Sequence, residues 1–104
     1  MILASKPGQP SPKIEKRADD VRVVQIDCKE LLEPNELIYS KINIKGADNI
    51  IIDNVRTKQG KYLFFRASAG GSALVHTDHK LVFNISTSLG STISVPVLLR
   101  VFQS

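Results

Sequence analysis

The sequence predicts an all-β domain, a sandwich or a barrel, on three observations. The first is alternation in the last quarter of the chain, LVFNISTSLGSTISVPVLLRVF (81–102). There Leu81, Phe83 and Ile85 share one face, Val82, Asn84 and Ser86 the other, and Ile93, Val95, Val97, Leu99 and Val101 resume the pattern after a turn. Successive strand side chains point to opposite faces, so such a run buries one face and leaves the other to water or a partner. The second is a succession of six to seven short β-branched segments separated by Gly, Pro, Asn and Ser. The third is that no interval reads as an amphipathic helix: the best candidate, CKELLEPNE (28–36), is cut by Pro34 and allows one turn at most.

The elements follow in chain order. SKPGQPSPKIEKR (5–17) holds three prolines and reads as an extended arm over residues 1–17, leaving 18–104 as the folded domain. VRVVQID (21–27) is a strand, LLEPNE (31–36) a loop turned by Pro34 and Asn35, and LIYSKINIKG (37–46) a strand with Ile38, Ile42 and Ile44 on one face. NIIIDNVRT (49–57) and YLFFRA (62–67) are strands joined by the turn KQGK, and SAGGSALVHTDHK (68–80) is a glycine-permitted loop. The two long closing arms meet at SLGS (88–91). Pro96 lies within the last of them; its missing N–H places that strand at a sheet edge or a bulge, and makes the edge a candidate docking site.

With 104 residues there is room for one domain of modest size. The single cysteine, Cys28, excludes an intramolecular disulfide and reads as a small buried hydrophobe, which suits folding in a reducing cytosol. The opening Met-Ile-Leu-Ala is too short for a signal sequence, and no membrane span is expected. Of the net charge of +4, a surplus of three belongs to residues 1–17, where Lys6, Lys13, Lys16 and Arg17 face only Glu15.

Chemistry is sparse. His76, Asp78 and His79 diverge in an extended loop and lack further ligands for a metal; Asp19, Asp20 and Asp27 have no histidine-and-hydroxyl arrangement for nucleophilic catalysis. SAGGSA has neither the lysine nor the helix of a phosphate loop. Tyr62, Phe64 and Arg66 share a strand face, a weak nucleic-acid signal, with Phe64 assigned to the core. No catalytic residue and no cofactor is expected.

A Pro/Lys arm, then DDVRVVQIDCKELLEPNELIYSKINI, SAGGSA and HKLVFNISTSLGSTISVPVLLRV, resembles the small immunoglobulin-like virion proteins of tailed bacteriophages, including fibre-to-tail adaptor proteins. The positions that carry it are Ile26-Asp27, Leu31-Leu32 through Glu36-Leu37-Ile38 with Ser40, Gly70-Gly71, and Thr87-Ser88-Leu89-Gly90, over roughly residues 13 to 102. The resemblance implies an immunoglobulin-like antiparallel β-sandwich of six to seven strands with an extended N-terminal arm. It implies a non-enzymatic virion structural protein, assembled in the host bacterial cytoplasm as part of a homo-oligomer and joined to portal, tail, fibre or major capsid proteins. On that reading Lys6, Lys13, Lys16 and Arg17 pair with an acidic neighbour, while the loop at Gly70 and Gly71 or the edge at Pro96 makes a second contact. Two alternatives stay open: a capsid decoration (cement) protein, and a soluble carbohydrate- or nucleic-acid-binding β module, for which a chain with no Trp and two Tyr is poorly supplied. Membrane and nucleic acid are not expected partners.

Overall fold

A computed structural model describes residues 2–47, 50–69 and 76–103. The alternating segments become strands: β1 (Ile2–Leu3), β2 (Lys13–Arg17), β3 (Val21–Asp27), β4 (Ile38–Lys45), β5 (Ile50–Lys58), β6 (Tyr62–Ala69), β7 (Asp78–Thr87) and β8 (Thr92–Phe102). One 3₁₀ turn, Lys29–Leu31, is the whole of the CKELLEPNE helix signal. One sheet runs β1-β3-β6-β5 and the other β2-β8-β7-β4, so the chain is an all-β sandwich.

Period-two alternation supplies the core directly. Leu81, Phe83 and Ile85 of β7 and Val95, Val97, Leu99 and Val101 of β8 point inward and are fully buried. Across the gap lie Val24 and Ile26 of β3 and Leu63, Phe65 and Ala67 of β6. The Phe65 and Phe83 rings meet between the two sheets with centroids 4.6 Å apart and planes tilted by 32°. Each large side chain so buried contributes about 1.5–3 kcal/mol.

Three expectations are corrected. Among the described residues there are eight strands rather than six or seven, because the N-terminal segment supplies two of them. The sheets are mixed rather than purely antiparallel: β1 runs parallel to β3, and β2 parallel to β8, from Lys13↔Leu98 to Arg17↔Phe102. The core also starts before residue 18, since Ala4 and Ile14 are both buried. The physical reason is visible in KIEKR: once it lies on the edge of β8, Ile14 and Lys16 turn inward while Lys13, Glu15 and Arg17 turn out. Pro7, Pro10 and Pro12 stop the strand from starting earlier, and residues 4–12 cross from one sheet to the other as a strap. The Ala4 N–H donates to Asp27 O at 3.0 Å at one end, and the Leu98 N–H to Pro12 O at 2.9 Å at the other.

A second fastening closes one end of the sandwich. Glu36, only 4 % exposed, accepts from the Thr87 hydroxyl through Oε2 and from the Glu33 N–H through Oε1 at 3.1 Å. The Lys61 ammonium donates to the Glu36 carbonyl at 2.8 Å, and Leu37 exchanges bonds with Ser88, whose Oγ accepts at 2.9 Å and whose N–H donates at 2.8 Å. Three connections, β3–β4, β5–β6 and β7–β8, are thereby tied together. The Thr87 hydroxyl first, and then the Glu33 N–H, hold the Glu36 carboxyl below the usual range. A depressed carboxyl stabilises the fold above its unfolded-state value of about 4.3 and loses that contribution as pH falls through the lower folded-state value. Urea midpoints measured from neutral to acid pH therefore show a loss in the wild type that is smaller in Glu36→Gln.

Candidate docking cleft

The strap and the edge it leaves uncovered build a concavity. Pro7 and Gly8 turn the strap, which is closed by the Gln9 N–H donating to Lys6 O at 3.0 Å and the Lys6 N–H donating to Gln9 Oε1 at 3.1 Å. The 3₁₀ turn contributes Glu30 and Leu31, and Lys6 reaches Glu30 at 3.7 Å. Opposite stands β8 from Thr92 to Pro96. Together they enclose a cleft of about 700 Å³.

The wall formed by β8 is an unpaired strand edge. β2 covers β8 only from Leu98 to Phe102, and among the described residues no strand pairs with that side of Thr92–Val97. The Leu98 N–H points away from β7, since it donates to Pro12 O. Residues of the same parity, Thr92, Ser94 and Pro96, therefore aim their backbone groups at the cleft, while Ile93, Val95 and Val97, opposite Ile85, Phe83 and Leu81, aim theirs at β7. Pro96 sits where its missing donor costs the β7 ladder nothing. The edge expected from Pro96 is present, though only over half of the strand; the other half is covered by β2.

The residues singled out from sequence are distributed unevenly. Lys6 and Pro96 meet in this cleft. Lys13 instead pairs with Asp78 of its own domain at 3.4 Å, beside Arg100 at 3.5 Å from the same carboxylate, and such exposed pairs contribute about 0–1 kcal/mol. Lys16 is 4 % exposed and its ammonium donates to the Arg17 carbonyl, so it does not face a neighbour; burial pushes its pKa down. Arg17 is exposed at the far end of β2. Gly70 and Gly71 lie outside the described residues. Glu30, Leu31, Thr92 and Ser94 escape the sequence reading because their residue types are ordinary; only the three strap prolines hint that β8 would be left partly bare.

Reactive groups stay apart. Cys28 is fully buried, and burial, then the neighbouring Asp27 charge, pushes its thiol up to about 12. Thiolate is the reactive form, so labelling by a thiol reagent at pH 8 is expected to follow unfolding: slow in buffer and complete within the mixing time in denaturant. The His76 ring packs edge-on against Phe102 with centroids 5.7 Å apart, and Asp78 is held by Lys13 and Arg100. Among the described residues no three of His, Cys, Asp and Glu are grouped to hold a metal ion.

The outer face of the other sheet departs from expectation. Phe64 is not in the core: Leu63, Phe65 and Ala67 take the inward positions of β6, and Tyr62, Phe64 and Arg66 point outward. Both parities of YLFFRA are substantially apolar, so local pattern does not choose between them; packing of Phe65 on Phe83 does. A bulge in β5 between Asp53 and Arg56, with Asn54 at φ 53°, inserts a residue and turns Arg56 and Lys58 onto the same face.

Comparison with family models, curated proteins and solved structures finds no match to this chain.

Proposed function

We propose that this protein is a non-enzymatic virion connector, and that its cleft receives an extended segment of a neighbouring virion protein. The observation that carries the reading is the row of unpaired backbone groups at Thr92 and Ser94 facing a cleft. Donors and acceptors in strand geometry are satisfied by another backbone, and side chains along the walls then select the sequence. The guest would lie in line with β2, filling the position that the strap vacates, and Pro96 would set where its pairing with β8 gives way to β2. Lys6 and Glu30 stand at the mouth, where an incoming charged residue can exchange into their pair.

Strand order supports the immunoglobulin-like part of the resemblance. With β1 and β2 taken as halves of a split first strand, the sheets follow the four-strand and three-strand plan of that fold, apart from the parallel pairing of β1 with β3. A connector present in several copies needs no single strong contact, because linked sites raise one another's effective concentration.

Ser94→Pro tests the cleft. The substitution removes an N–H from the open side and leaves the β7 ladder intact, as Pro96 already does. Tagged wild-type and Ser94→Pro proteins are supplied during phage assembly and quantified in purified particles by mass spectrometry. Wild type in the particle with the variant at least tenfold depleted is the expected result. Wild type absent from particles would end the virion reading. Equal incorporation of both would leave that reading standing and remove the cleft from it.

A further inference from the structure

The outward face of the β1-β3-β6-β5 sheet carries an ordered array that the cleft does not use. Tyr62 and Phe64 project from β6, an interior strand, two residues and therefore roughly 7 Å apart. β5 places a cation beside each, in the register Arg56↔Phe64 and Lys58↔Tyr62. The Arg56 guanidinium lies 5.1 Å from the Phe64 ring centroid and the Lys58 ammonium 5.9 Å, while Lys29 stands 5.4 Å over Tyr62 from the opposite side. Among the described residues neither Arg56 nor Lys58 has a carboxylate within ion-pair reach. One row further on, Arg66 is neutralised by Asp53 through two parallel bonds of 2.7 Å. Lys29 has Asp27 at 3.5 Å. The unneutralised charge is thus concentrated at Arg56 and Lys58, both of which stand over the Phe64 ring.

The geometry points to this face as a binding site for a single-stranded polynucleotide, with bases stacked on Tyr62 and Phe64 and phosphates held by Arg56 and Lys58. Cations alone would serve any polyanion, including an acidic polypeptide. What distinguishes a polynucleotide is its planar bases, and outward aromatics on an interior strand with basic residues alongside are the stacking platform that such ligands use. The long Arg56 and Lys58 side chains are rooted on the edge strand, so they can swing from ring to phosphate as a base takes their place. Expectation from sequence sets nucleic acid aside partly because it assigns Phe64 to the core; with Phe64 on the outer face that ground is gone. This surface lies on the sheet opposite β8 and is independent of the connector reading.

The test is fluorescence anisotropy of a labelled oligothymidylate about twelve nucleotides long, titrated with the full chain between about 50 and 200 mM salt. Binding is expected, with a log–log salt slope of about −1.4 for two phosphate contacts. Arg56→Glu with Lys58→Glu weakens it at least tenfold and flattens the slope. Phe64→Leu, which keeps an apolar side chain but removes the π face, weakens it severalfold at unchanged slope. Lys41→Glu with Lys45→Glu, the same charge change on exposed positions of β4 in the other sheet, shifts affinity less than the first pair. No binding by the wild type at the lower salt overturns the proposal. So does displacement by polyglutamate as effective as by unlabelled oligothymidylate, with Phe64→Leu behaving as wild type, which would assign the face to an acidic polypeptide instead.

Discussion

Phe83→Ala is expected to lower the free energy of unfolding by about 3–5 kcal/mol, a drop of more than about 12 °C in Tm for a chain of this size. Phe83 is fully buried on β7, an interior strand of its sheet, and its ring meets Phe65 of β6, an interior strand of the other. Truncation removes transfer free energy and also opens a cavity between two sheets, each held by its own ladder and neither able to collapse into the space. Phe83→Leu refills most of that volume and costs less than about 1.5 kcal/mol if the site repacks. Denaturant unfolding of both variants checks the argument. A cost for Phe83→Ala near that of an exposed substitution would mean that the sheets are not packed across this ring pair.

Gly46→Ala is expected to destabilise by about 2–6 kcal/mol, the sum of backbone strain and overlap. Gly46 follows β4 at φ +88°, and a Cβ there would lie 2.0 Å from the Lys80 carbonyl oxygen of β7. Because the obstacle is backbone, relief requires β4 and β7 to separate. Gly90, in the β7–β8 hairpin, provides the comparison: its φ is +80°, and nothing lies within 4 Å of a Cβ built on it. Gly90→Ala therefore reports conformational strain alone, about 1–2 kcal/mol. The difference between the two variants measures the contact at Lys80, and equal costs would show that the contact is absent.

The closing hairpin was legible because its signal is local. Alternation from Leu81 to Ile85 and from Ile93 to Val101 names the buried face, and Gly90 marks the reversal between them. Lys13 and Lys16 were not legible in the same way. In a segment crowded with prolines they read as a free basic arm, yet one pairs with Asp78 and the other is buried against its own backbone. The deciding fact is that β8 presents an edge to Lys13–Arg17, a partner supplied from the far end of the chain. Phe64 and Arg56 teach the same lesson on the other sheet, where a cross-sandwich ring contact and a single inserted residue decide which side chains face out.

By itself the sequence determined the class of structure, its strand-forming segments, its buried cysteine and the core positions of the closing hairpin. These depend on side-chain period, turn residues and proline, all of which act within a few residues. Only the tertiary structure decided that the N-terminal segment is stitched into both sheets, that half of β8 has no strand partner on its cleft side among the described residues, and that aromatic and basic side chains line up on one outer face. Those outcomes depend on which strands become neighbours and in what register, and that choice is made by packing between segments distant in the chain.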